Sequence, residues 1–120
     1  MDRDAASRVR QRLCTLREER RRIEERLLEP TRLLRGSWVE RYGIVGGYQR
    51  RTPAFYVSAP SQDGRKRLFY VRKKELQRVR REVEAYREYR KALSRLDALD
   101  REILEAYRFL AKSQEVGLGS

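Results

Sequence analysis

Residues 37–71 read SWVERYGIVGGYQRRTPAFYVSAPSQDGRKRLFYV, and they follow different rules from the charged helical sequence on either side of them. The runs SWVERY, AFYVSA and RKRLFYV are short, aromatic and β-branched, as strands are. Turn chemistry separates them: Gly43, Gly46, Gly47 and Pro53 fill one gap, and APSQDGR with Asp63-Gly64 fills the other. A three-stranded antiparallel meander is predicted. Side chains alternate along a strand, so Phe55 and Val57 share one face and Tyr56 and Ser58 the other, while Phe69 and Val71 oppose Leu68 and Tyr70. Phe55, Val57, Phe69 and Val71 are expected to pack inward. Tyr56 and Tyr70 admit two roles, a packed ring with its hydroxyl in water or a stacking platform for bases. So small a sheet is marginal unless it packs on something.

The flanking sequence supplies helices. Val9, Leu13, Leu16, Ile23 and Leu27 form one narrow apolar stripe, with Arg20 in the vacant seam position and Asp4 able to cap the start. Pro30 cannot donate a helical hydrogen bond and biases Glu29 toward extended backbone, which ends the helix near Leu28. The second pattern runs Leu76, Val79, Val83, Tyr86, Tyr89, Leu93, Leu96, Leu99, Ile103, Ala106, Leu110, with no Gly or Pro before Gly117. The expected architecture is α+β, an antiparallel helical hairpin forming a coiled-coil-like stem with a small three-stranded antiparallel β-meander at its tip. As a single domain it divides into a first helix over 5–29, a β-meander insertion over 36–71, a long second helix over 72–113 and a flexible tail over 114–120.

At about 1.5 Å per residue the first helix is shorter than the second by roughly 24 Å. In a simple hairpin the first would be spent near residue 97. Leu99, Ile103, Ala106, Tyr107 and Leu110 would then face water, and a homodimer or a partner helix is the expected cover.

Charge is distributed unevenly. Of a net +12, residues 32–95 carry 18 basic and 6 acidic side chains, whereas both ends are nearly balanced. Such segregation suits a polyanion, although an Arg-rich composition can also reflect genome bias. In the second helix Lys73, Arg80 and Arg87 recur every seven residues, and Lys74, Arg78 and Arg81 make a neighbouring row; each row is either a phosphate track or a solvated face held by neighbouring glutamates. In the sheet, arginines interleave with flat side chains. Arg41, Tyr48, Arg50, Arg51, Tyr56, Arg65, Lys66 and Arg67 offer guanidinium and ammonium groups for phosphates and rings for unpaired bases.

Other chemistry is poorly served. One cysteine and no histidine leave no disulfide framework, no Cys/His zinc site and no histidine base. GIVGG lacks the Lys-Ser/Thr of a phosphate-binding loop and the dinucleotide glycine spacing. The pairs Glu18/Glu19, Glu24/Glu25 and Asp97/Asp100 sit on arginine-rich helix faces where salt bridges suffice. Cys14, beside the first apolar stripe, is expected to be buried or half-buried. No catalysis, cofactor, metal or small-molecule substrate is expected. With a hydrophobic share of 39% and no apolar run near the roughly 20 residues that span a bilayer, and no apolar stretch behind the charges of MDRDAASRVR, a cytoplasmic chain off the membrane is expected.

RGSWVERY, a glycine-containing loop, TPAFYVS, DGRKRLFYV and a helix opening KKEL together resemble an uncharacterised family of small bacterial and archaeal proteins often encountered around mobile elements. The resemblance covers roughly residues 33–90. Gly36 and Ser37 match the family's Gly-Ser pair, and Gly43, Pro53, Tyr56, Ser58, Gly64, Lys66, Tyr70 and Val71 match further along. The family's loop cysteines and its His-Gly-Pro-Tyr motif are absent, so the metal-stabilised loop that the pattern implies is not available to this chain. Two functions are expected from the whole reading: a non-catalytic accessory protein binding DNA or RNA, or a coiled-coil interaction module whose charge is incidental.

Overall fold

The computed structural model describes residues 3–49 and 51–118. Its elements are α1 (Arg3–Leu28), β1 (Ser37–Arg41), β2 (Ile44–Val45), β3 (Tyr48–Gln49), β4 (Ala54–Pro60), β5 (Lys66–Tyr70), a 3-10 turn (Lys73–Glu75) and α2 (Leu76–Gln114). The fold is α+β with two long helices and a three-stranded antiparallel meander of order β1-β4-β5. The chain divides into two compact units: Pro30–Arg90, and a second made of the residues up to Glu29 and from Lys91 on.

The second unit is a helix pair. Leu16, Ile23 and Leu99 form its buried centre, with Leu27, Ala92, Leu96 and Ile103 packed against them. Burying each such leucine or isoleucine contributes about 1.5–3 kcal/mol. Partners across the seam fall in α2 as they rise in α1: Arg12 meets Glu102 at 3.7 Å and Glu19 meets Arg95 at 2.7 Å. The helices are therefore antiparallel. Arg20, in the vacant seam position, reaches over to Asp100 at 2.6 Å and also pairs with Glu24. Asp4 lies inside the first turn of α1, where its charge favours the helix's positive end.

This pairing corrects the expectation of an exposed oligomer stripe. Leu99 is 0% exposed and Leu110 is buried; Ile103 and Ala106 are half-buried, and of the five Tyr107 alone is exposed. The reason is register. α2 gives its residues up to Arg90 to the sheet and keeps those from Lys91 on for α1, so 26 residues of α1 have a partner stretch of comparable length. Cys14 also departs from expectation. It is a free, exposed thiol, turned about 100° from Leu13 and so off the seam.

The Arg95 guanidinium donates to both carboxylate oxygens of Glu19, at 2.7 and 2.9 Å, and holds that carboxyl below the usual glutamate value of 4.5. Hydrogen bonds from Arg21 do the same for Glu18. A depressed folded-state value stabilises the fold above pH 4.5, and the contribution is lost as pH falls through the lower folded value. Melting followed by circular dichroism should therefore be level above about pH 5 and decline below about pH 4. Glu19→Gln should melt lower than the parent at neutral pH, with the gap closing in acid.

In the Pro30–Arg90 unit the meander lies on the first turns of α2. Val57, Ala59, Val71, Val79 and Val83 form the core, with Leu34, Trp38, Phe55 and Leu76 around it. The connector before β1 is tied down by Leu34 N–H donating to the Glu82 carbonyl at 3.1 Å and by Arg32 against the Glu82 carboxylate at 3.3 Å. Phe55, Val57 and Val71 pack inward as expected. Phe69 does not: it shares the inner face with Val57, its cross-strand partner, but stands on the edge strand beyond the cover of α2 and is 46% exposed.

The gap between β1 and β4 is more structured than a glycine-rich loop suggests. β2 and β3 pair in register, Ile44 with Gln49 and Val45 with Tyr48. Gly46 and Gly47 turn the chain between them at φ of 59° and 86°, the left-handed pair that a two-residue hairpin turn requires. At the other gap, Gly64 at φ 81° follows a turn closed by its N–H to the Ser61 carbonyl at 2.9 Å. Asp63 organises this second turn by accepting from the Ser61 hydroxyl, from Arg65 N–H at 3.1 Å and from Arg67 at 2.8 Å, and these bonds hold its carboxyl below the ordinary range.

Candidate nucleic-acid interface

The sheet has two unlike faces. Inward, Val57 and Ala59 meet α2; outward, strand alternation places Tyr56 and Ser58 of β4. Register then adds their neighbours: Val39 lies beside Tyr56 from β1, and Tyr70 and Leu68 lie beside Tyr56 and Ser58 from β5. The Tyr56 and Tyr70 rings meet edge to face, with centroids 5.7 Å apart. Arg41, opposite Ala54 on the same face, holds its guanidinium 6.0 Å from the Tyr56 ring centre. Lys66 stands at the far end of that face, opposite Pro60. Tyr70 is 63% exposed.

Two aromatic faces, a guanidinium and an ammonium thus share one open sheet surface. Stacking of unpaired bases on such rings is sequence-tolerant because every base has a π-face, and the flanking cations suit the phosphates. The unit that presents the surface holds 16 Lys and Arg against 6 Asp and Glu, while the helix-pair unit holds 14 against 12. The long-range field therefore favours a polyanion at the sheet unit.

No protein-family model, curated protein or solved structure matches the chain. Geometry and charge alone carry the functional argument.

The remaining cations singled out in the sequence are dispersed. Arg67 is tied to Asp63, and Arg78 lies between Glu75 at 3.6 Å and Glu82 at 3.5 Å. Arg80 lies over the Trp38 ring at 5.6 Å and pairs with Glu84 at 3.4 Å, so it braces the inner layer. Lys73 and Lys74 belong to the 3-10 turn, whose three residues per turn break the seven-residue phase with α2. Arg81 and Arg87 are exposed on α2, and Arg81, two residues from both Val79 and Val83, points away from the sheet. In a two-layer unit the outer sheet face and the outer helix face look in opposite directions, so Arg81 does not extend the outer surface of the sheet. Arg51 and Arg65 are exposed in the loops, Tyr48 is 80% exposed on the short hairpin, and Arg50 lies outside the described residues. Tyr70 was legible in the sequence through its alternation with Phe69 and Val71; its pairing with Tyr56 needed the register.

Among the described residues no group of three or more Cys, Asp or Glu is placed to hold a metal ion, and no helix is long and apolar enough to cross a membrane.

Proposed function

We propose that this chain is a non-catalytic, cytoplasmic protein that binds single-stranded or unpaired nucleic acid on the outer face of its sheet. The observation that carries the reading is the pair of half-buried Tyr56 and exposed Tyr70, flanked by Arg41 and Lys66 on the same face. The rings stack bases, while Arg41, Lys66 and the loop residue Arg65 contact the phosphates. Backbone contacts and stacking carry no sequence code, so binding is tolerant of sequence and applies to DNA and RNA alike. The coiled-coil interaction reading has less to stand on, because Leu99 and Leu110 are buried and Ile103 and Ala106 half-buried, leaving Tyr107 alone of that stripe exposed.

Anisotropy of labelled oligothymidylate and oligouridylate, measured over a range of salt, tests this. Tyr70→Ala should weaken binding by about 1–3 kcal/mol, or roughly 5- to 150-fold, as removal of one stacking ring does. Tyr70→Phe should retain most of it. Neutralising Arg41, Arg65 and Lys66 together should flatten the salt slope by about 0.7 for each lost contact. Removing Arg10, Arg101 and Arg108 from the helix-pair unit should do little. Equal loss from both triple variants, or no effect of Tyr70→Ala, would reduce the interaction to net charge and sink the site.

A further inference from the structure

The edge of the sheet at β5 carries a second, distinct surface. Two backbone bonds set the phase of the β4–β5 ladder: Val71 N–H donates to the Phe55 carbonyl and Ser61 N–H to the Arg65 carbonyl, each at 2.9 Å. Hydrogen-bonded and non-hydrogen-bonded pairs alternate in an antiparallel ladder, so Arg67 and Phe69 likewise turn their backbone groups toward Ala59 and Val57. Lys66, Leu68 and Tyr70 must then turn theirs the other way. Pro60 agrees with this phase, since it falls opposite Lys66, at a pair that needs no N–H from it.

The sheet ends at β5, and all five of its residues are exposed. Three N–H and three C=O groups therefore line an open edge at two-residue spacing, about 6.8 Å. Beside that edge, on the inner face, lies a groove of about 410 Å³ walled mainly by apolar residues, among them Leu34, Val57, Phe69 and Val79, with Arg35 and Glu75 as its charged members. Arg65, Lys66, Arg67, Arg72, Lys73 and Lys74 stand exposed along the same stretch.

We propose that β5 receives an extended acidic peptide as a fourth strand, with an aliphatic side chain of that peptide seated in the groove. Each feature selects part of the occupant. Donors and acceptors repeating every second residue match the backbone of an extended polypeptide, which a sugar-phosphate chain does not reproduce. The apolar groove takes a Leu, Ile or Val side chain. The surrounding cations favour carboxylates, and they disfavour a second copy of this chain, because pairing β5 with its equivalent would bring two sets of the same cations together. The inference stands on the edge and the groove, independently of nucleic-acid binding on the outer face.

A synthetic peptide of about ten residues, glutamate alternating with leucine, provides the probe, against a shuffled peptide with its leucines grouped and against polyglutamate. Amide exchange by NMR is the readout. On the intact chain the alternating peptide should slow exchange at Lys66, Leu68 and Tyr70 about tenfold or more, with little change at Arg67, Phe69 and Val71, which β4 already protects. Leu68→Pro removes the central outward N–H while sparing the β4 ladder, and should abolish peptide binding with the thermal transition retained. If that variant does not fold, the alternating protection pattern on the unmodified chain decides. Uniform or absent slowing, the same pattern from polyglutamate or the shuffled peptide, unchanged binding by folded Leu68→Pro, or protection that grows with protein concentration before any peptide is added would each overturn the proposal, the last in favour of a second copy.

Discussion

Leu99→Ala should destabilise the helix pair by about 2–5 kcal/mol, the range for truncating a leucine in a well-packed core. Leu99 has no exposed surface, and its cluster mates Leu16 and Ile23 sit on a helix more than seventy positions away in sequence. Removing its branched end leaves a cavity that two helices held by Arg20–Asp100 and Glu19–Arg95 cannot easily close. Leu104→Ala, at an exposed position five residues further along α2, should cost within about 0.5 kcal/mol. Urea denaturation of both variants provides the comparison. A Leu99→Ala cost below about 1 kcal/mol would show that α1 does not pack on this stretch of α2 as described.

Gly36→Ala should cost about 2–3 kcal/mol, the upper part of the range for overpacking. A Cβ at this position would lie 2.6 Å from Val57 Cγ1, 3.0 Å from the Ser58 carbonyl oxygen and 3.2 Å from Ala59 Cβ. None of these yields cheaply. Val57 is buried and stiff at its branched Cβ, and the Ser58 oxygen belongs to the central strand. The substitution should expose the sheet unit to faster amide exchange through β1 and β4. Gly43→Ala has open space around its Cβ and should be nearly silent in the same assay. Similar behaviour of the two variants would mean that the connector does not press on β4 at Gly36. The glycine of the Gly-Ser pair is thus demanded by close approach to β4.

Much of this fold could be read from local chemistry. Pro30 ended α1, the runs of aromatic and β-branched residues became β1, β4 and β5 in a simple meander, and Asp63-Gly64 made the turn between the last two. These features depend on neighbours a few residues apart, through backbone sterics and side-chain period, and a sequence displays such neighbours directly. The site was legible in kind but not in membership. Tyr56, Tyr70, Arg41 and Lys66 were all legible as candidates, whereas the pairing of Tyr70 with Tyr56 on one face appeared only with the register. Arg67, Arg78 and Arg80 left the candidate surface because Asp63, Glu75 with Glu82, and Trp38 hold them.

By itself, then, the sequence determined the order of the two helices and the three strands of the meander, the alternation of faces along β4 and β5, and the concentration of positive charge in residues 32–95. Tertiary structure decided where α2 divides its loyalties. Apolar spacing along α2 continues without a break through Arg90, so nothing local marks the point at which its partner changes from the sheet to α1. That point follows from competition among surfaces distant in sequence: Val79 and Val83 are covered by Val57 and Val71, and Leu99 by Leu16 and Ile23. Burial of apolar area is non-directional and sums over whichever faces fit together, so its outcome is a property of the assembled chain.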